Sequence, residues 1–225
     1  MDDATWAWAR THWDEHFQPL RDAGYDLERV DAAAYWAVHE GEMRDHFPPE
    51  VFFNLSALRT EHERDGQARL AASRGGNPLT DFCLVRSGGQ IVAQFCGEQA
   101  SPSLYRMWHT NVHRDHRRRG IYRMILRGTI DYTRALGFDA ITSEHAPSNN
   151  PVIIAKLQAG FRIYSLELDP AVGVSIFLRY FHNPEHLAAY EFRCGLASLS
   201  PSLVASGKGA FAALRAQLGE RSSST

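Results

Sequence analysis

The chain has 225 residues, 44% of them hydrophobic and 22% charged, with a net charge of −2. That is enough apolar material for a core in one domain with extensions, or in two small domains. It excludes a largely disordered chain and a globally basic nucleic-acid binder, and no apolar run approaches the ~18 residues of a membrane helix.

The acidic start, Met1 to Trp6, lacks the positive and apolar regions of a signal peptide. Trp6, Ala9, Trp13, Phe17 and Leu20 recur at three- and four-residue steps and predict a helix over about 3–18, with Gly24 ending the region. Tyr25 to Val30 reads as a short strand. Asp31 is placed to cap a helix carrying Ala33, Trp36 and Met43 and stopped before Pro48-Pro49. A further helix is expected over 51–73, then loop chemistry at 73–78.

The period then changes. Asp81–Arg86 and Ile91–Glu98 read as strands joined by a Ser87-Gly88-Gly89-Gln90 hairpin turn, and Leu104–Val112 as a third strand after Ser101-Pro102-Ser103. A helix over about 120–136 ends at Gly137, Phe138–Glu144 is a strand, and Asn149–Ala159 is a helix closed by Gly160. Phe161–Leu168 and Val172–Phe181 are two more strands. Helices are expected near 185–193 and 208–218, before a disordered tail at 221–225. Strand 138–144 follows a crossover helix, so it should lie parallel to strand 104–112. The fold class is α/β (α+β in its mixed sheet): a central twisted mixed β-sheet flanked by helices, with an N-terminal helical region and a C-terminal helical extension. The expected divisions are 1–24, 25–182 and 183–225.

Three cysteines (Cys83, Cys96, Cys194) are too few for a disulfide framework or a four-cysteine zinc site, and fit free thiols in a reducing cytoplasm. No His-x-x-x-His with a carboxylate partner is read, and no metal is expected. Charge is concentrated in one place. Residues 113–127 hold six Arg and one Asp, a local +5 that leaves −7 for the rest of the chain. His113-Arg114-Asp115-His116-Arg117-Arg118-Arg119-Gly120-Ile121-Tyr122-Arg123 stands between a strand and a helix N-terminus. There unpaired backbone N–H groups and the helix dipole favour an anion such as a pyrophosphate. Focused charge suits a small polyanion better than a duplex. The segment is neither a P-loop nor a dinucleotide fingerprint.

These residues resemble the GNAT superfamily of acyl-CoA-dependent N-acyltransferases. Its loop reads Gln/Arg-x-x-Gly-x-Gly/Ala, five residues after an apolar strand residue. Val112, Arg117, Gly120 and Tyr122 fall at those positions, with Tyr in place of the last Gly or Ala. Asn149 and Gly160-Phe161 match a second signature, and the resemblance covers about 80–182. It implies acetyl transfer from acetyl-CoA (coenzyme A) to an amine, by direct attack in a ternary complex. Thr110, Asn111 and Val112 would pair with the pantetheine arm, an N–H near Asn111 would stabilise the oxyanion, and backbone amides of Arg117, Arg118, Arg119, Gly120, Ile121 and Tyr122 would hold the pyrophosphate. Asn149 would bond the pantetheine arm. Lys156 stands where many members carry a general-acid Tyr. Glu144 and His145 are the first candidates for the base, Glu98 and His109 the second. The implied partner is a small-molecule or peptide amine, with no nucleic acid, no membrane and no metal; a homodimer stays open. The alternative is a module of this fold that holds acyl-CoA without turnover.

Overall fold

Turn-forming residues and strand alternation lay down the first half of the sheet. The structure, a computed structural model of the chain, describes residues 3–46, 60–61 and 78–206. Of the helix expected over 51–73 only residues 60–61 are among these, and the loop expected over 73–77, the helix over 208–218 and the tail lie outside them.

The first helix, α1 (Asp3–His16), stops at Phe17, and α2 (Gln18–Asp22) restarts the path. Pro19, near the start of α2, has no N–H to continue the ladder of α1, so the predicted single helix divides here. The short strand β1 (Asp26–Arg29) precedes α3 (Ala32–Val38), capped as expected by the Asp31 carboxylate, which accepts from the Ala34 N–H at 2.8 Å. Beyond Val38 the helix widens to a π turn over His39–Met43 and tightens to a 3₁₀ turn over Arg44–His46. His39 and Met43, at the two ends of the π turn, are both buried.

Gly88 and Gly89 both take positive φ, as a two-residue hairpin turn requires, between β2 (Thr80–Ser87) and β3 (Gln90–Ser101). β4 (Leu104–Val112) returns antiparallel to β3. α4 (Ile121–Ala135) crosses over to β5 (Ala140–His145), which is parallel to β4 as expected. α5 (Asn150–Gln158), β6 (Arg162–Asp169) and β7 (Gly173–Phe181) follow. The result is one mixed seven-stranded sheet in the order β1-β2-β3-β4-β5-β7-β6.

The chain divides into two compact units, Met1–Tyr180 and Phe181–Thr225. In the second, α6 (Pro184–Arg193) starts from an Asn183 cap, and a short α7 (Pro201–Ser206) follows. Glu185 of α6 accepts from Ser200 and Ser202 at 3.0 and 2.5 Å. Among the described residues no helix is long and apolar enough to cross a membrane.

In the first unit one face of the sheet carries the main core. Trp13, Phe17 and Leu20 meet Phe95, Ile125 and Tyr132, with Ile153, Phe161 and Leu178 completing the cluster. The other face holds a smaller cluster of Tyr35, Met43, Leu84, Ile91 and Cys96. The main core surrounds an ion. Asp81 has no exposed surface, and Arg29 reaches it at 2.6 Å, the Tyr105 hydroxyl at 2.8 Å and the Tyr132 hydroxyl at 3.4 Å. Burial pushes the Asp81 pKa up and Arg29 pulls it back. The net shift is upward, and Arg29 with the two hydroxyls opposes it. Gly97 makes room for this network, because a Cβ there would lie 2.4 Å from the Tyr105 hydroxyl.

Asp81→Ala should therefore lower unfolding free energy toward the lower end of about 3–5 kcal/mol, since Arg29 keeps 22% side-chain exposure. Gly97→Ala should cost roughly 1–3 kcal/mol by displacing Tyr105. Urea denaturation measures both, and a neutral Gly97→Ala would contradict the close approach of Tyr105.

Candidate functional site

The centre of the sheet is open on one side. Parallel pairing of β4 with β5 runs from Leu104↔Ala140 to Met107↔Ser143 and ends there, whereas β4 continues five residues further, to Val112. A bulge lies at the same point. Cys96 faces His109 and Gly97 faces Met107, so Trp108 is an extra residue in β4. Bulges bend a strand and raise its local twist, which turns the last part of β4 away from β5.

Alternation decides which backbone groups border the gap. The His113 N–H donates to Val92 O at 2.9 Å, toward β3. Residues 113, 111 and 109 therefore aim their backbone at β3, and Thr110 and Val112 aim theirs at the open side. Asn111 itself is turned the other way. Its backbone faces β3, and its buried side chain donates to Met43 O at 2.7 Å.

At the end of β4 the Arg-rich loop folds into a cradle. Arg118 (φ 60°) and Gly120 (φ 84°) are both left-handed, and Arg118 is a non-glycine residue in that region. Such alternation turns successive N–H groups toward one point, a geometry that suits anions. The first intrahelical bond of α4 is Met124 N–H to Gly120 O at 3.0 Å. The amides of Ile121, Tyr122 and Arg123 thus lack partners within the helix, at its positive end. Two of the arginines are braces, which the sequence did not reveal. Arg117 Nε donates to Val112 O at 3.1 Å and its Nη2 to His46 O, while Arg114 Nη2 donates to Asp45 O. Arg118 and Arg119 remain exposed. Tyr122, the departure from the family pattern, packs its ring against the main core, and burial raises its pKa.

The sequence singled out Lys156, and the structure adds its burial. It is 1% exposed, with Nζ 3.6 Å from Met107 Sδ and 5.0 Å from the centre of the Phe161 ring. Burial lowers its pKa to about 7. Met107 is the last β4 residue paired with β5, so the amine sits where the two strands part. His145, the last residue of β5, bonds Ser143 Oγ at 3.1 Å, and burial together with Lys156 lowers its pKa to about 2. It stays neutral at ordinary pH and is a weak proton acceptor. Glu144 is exposed on the same strand end. Asn149 caps α5 without using its side chain, and Gly160 (φ 100°) closes the helix onto buried Phe161.

His109 lies on the opposite face, stacked on His39 with ring centres 5.2 Å apart, and burial followed by His39 lowers its pKa to about 4. Gln94 Nε2 is 2.6 Å from His39 Nδ1. The π turn that brings His39 there could not be read from the chain. Glu98 faces Arg106, on the far side of the bulge. One further correction concerns α1. His12, Glu15 and His16 are a His-x-x-x-His pair with a carboxylate, the pattern read as absent, with ligand atoms within 4.8 Å of one another.

Residues 5–161 match the model of the Acetyltransferase (GNAT) family. No curated protein sequence matches the chain significantly. Among solved structures it is similar to Ard1 from Thermoplasma volcanium, with TM-score 0.51, 13% identity, and coverage of 70% of this chain and 97% of that one. It is similar to a mutant of the spermidine N-acetyltransferase SpeG from Vibrio cholerae, with TM-score 0.50, 10% identity and coverage of 71% and 94%. A GNAT family acetyltransferase from Elizabethkingia anophelis with acetyl-CoA bound gives TM-score 0.46, 10% identity and coverage of 70% and 98%. At such identities the likeness is one of fold.

The buried amine carries a stability cost with a definite sign. Lys156 is charged up to about pH 10.4 when unfolded but only up to about 7 when folded. Between those values the unfolded state binds more protons, so stability rises with pH across that window. Lys156→Met, of similar length and without a charge, should raise the thermal midpoint, more at pH 7 than at pH 9.5. An equal shift at both pH values would show that the amine is not desolvated.

Proposed function

Because the chain belongs to the GNAT acetyltransferase family, we propose that it moves an acetyl group from acetyl-CoA to an amine by direct attack while both are bound. The observation that carries this reading is the open edge of β4 leading from the buried Lys156 amine to the cradle at the N-terminus of α4. An extended arm ending in a pyrophosphate needs such a track: strand backbone groups along its length and converging amides at its end.

In this reading the amides of Ile121, Tyr122 and Arg123 hold the pyrophosphate, with Arg118 and Arg119 meeting the outer phosphates. Val112 pairs with the arm, Asn149 bonds it from α5, and the Thr110 N–H donates to the oxyanion that develops at the acyl carbonyl. Acetyl-CoA supplies the acetyl group as a thioester. The amine nitrogen forms a bond to the acyl carbon and loses a proton, for which Glu144, exposed at the end of β5, is the acceptor on this chain. The carbon–sulfur bond breaks, and Lys156 delivers a proton to the departing sulfur before recovering one from solvent. A pKa near 7 suits both halves of that exchange.

Two measurements test this. Gly120→Asp places a side chain at φ 84° and a negative charge in the cradle, so calorimetry should show a large loss of acetyl-CoA affinity in a folded protein. Unchanged affinity would remove the donor assignment. For the chemistry, kcat with an accepted amine should fall as pH rises above about 7, and Lys156→Ala should lower kcat roughly 10²–10⁴-fold with little change in donor affinity. Lys156→Arg should recover little, because a guanidinium keeps the charge and does not release the proton. Parent-like kcat in both variants would exclude Lys156 from the reaction. Donor binding with no thiol released across a broad amine panel would favour an acyl-CoA-binding module.

A further inference from the structure

The upstream helix carries a second group with chemistry of its own. His12, Glu15 and His16 stand at i, i+3 and i+4 of α1, the spacing that gathers three side chains on one helix face. One ligand atom from each lies within 4.8 Å of the others, and His12 Nδ1 is 3.7 Å from Glu15 Oε2. The two imidazoles are nearly parallel, 12° apart in plane with centres at 6.1 Å. Among the described residues this is the one group of three His, Cys, Asp or Glu side chains in such reach.

We propose that this group is a binding site for a divalent late-transition-metal ion of the zinc type, held by two imidazoles and one carboxylate with a fourth position open to solvent. The donor set selects the ion. Imidazole nitrogen suits zinc, copper and nickel, whereas magnesium and calcium prefer shells of oxygen. Tetrahedral coordination at zinc bond lengths of about 2.0–2.2 Å needs donor atoms roughly 3.4 Å apart. The His12–Glu15 pair is already close to that, and the rest of the set closes by rotating side chains. Glu15 is free to do so, being 66% exposed.

The backbone beneath the site is fixed before any ion arrives. Trp13 and Phe17, on the other side of the helix, are 1% exposed. α1 abuts α4 at Gly128, where a Cβ would lie 3.0 Å from the His16 carbonyl oxygen. Trp8 meets the His12 ring edge-on at 5.3 Å. Binding therefore orders three side chains on a helix that is already ordered, which limits its entropic cost. None of the three residues belongs to the gap between β4 and β5, so the site does not depend on the acyl-transfer reading.

The test is a calorimetric titration of the untagged full chain with Zn²⁺, followed by thermal unfolding with and without the ion. One ion per chain is expected, together with a raised thermal midpoint, since an ion bound only by the folded state stabilises it. His12→Gln and His16→Gln should each weaken binding at least roughly tenfold by removing one of three ligands. Glu15→Gln, at an exposed position where folding is not at risk, should weaken it less. His46 and His113, with ring centres 3.9 Å apart beside the Arg-rich loop, are the control pair. Their double Gln variant should bind zinc as the parent does. Two results overturn the proposal: no heat and no thermal shift at excess zinc, or undiminished binding in the folded His12→Gln/His16→Gln variant.

Discussion

The interruption of pairing between two parallel strands organises this molecule. β4 and β5 hold each other as far as Met107 and Ser143, and then Trp108 adds a residue to β4 and the strands part. Continued pairing would consume the N–H and C=O groups of Thr110 and the N–H of Val112 within the sheet; the Val112 C=O already accepts from Arg117 Nε. The bulge exchanges those hydrogen bonds for an edge that can receive an extended ligand, inside a sheet whose outer strands stay paired. The strand then ends at the loop that concentrates positive charge, so the open edge of β4 and the N-terminus of α4 are continuous.

A sheet with an internal gap needs rigidity elsewhere, and the packing supplies it beside the opening. Tyr105, three residues before the bulge, is anchored by its hydroxyl to buried Asp81 and fills the space left by Gly97. Arg29 ties β1 to the same carboxylate, and its guanidinium lies over Trp13 at 5.1 Å. β1, β2, β4 and α4 thus share one ionic centre. On the other side, Arg114 and Arg117 bind carbonyls at 45, 46 and 112, fastening the cradle to the end of the α3 segment and to β4. The loop's charge has two uses: some guanidinium groups hold the loop in shape, and others stay exposed.

Lys156 shows stability and chemistry in opposition. A buried amine with a thioether sulfur and a ring face for neighbours is poorly solvated in its charged form, which lowers its pKa toward neutrality. The same burial makes the ammonium a better acid than a surface lysine. The cost of that burial falls where the two strands separate, so the destabilising group and the open edge of β4 share one place in the fold.

Much of this was legible in the sequence, because the controlling interactions are local. Period-2 alternation, the Gly88-Gly89 turn, the Asp31 cap and the closing glycines at 137 and 160 depend on residues a few positions away. The element order and the parallel partnership of β4 with β5 follow from them. The Arg117, Gly120 and Asn149 signatures likewise lie within single loops. What the sequence could not determine required contacts between distant segments. The bulge at Trp108 depends on register across two strands, and the orientation of Thr110 rather than Asn111 toward the gap follows from that register. The π turn at His39–Met43 and the break at Phe17 were set by packing against the sheet and by a single proline. The burial of Lys156 was decided by the meeting of α5 with Met107 and Phe161, because a lysine's pKa is fixed by the dielectric around it, and only the assembled fold creates that environment.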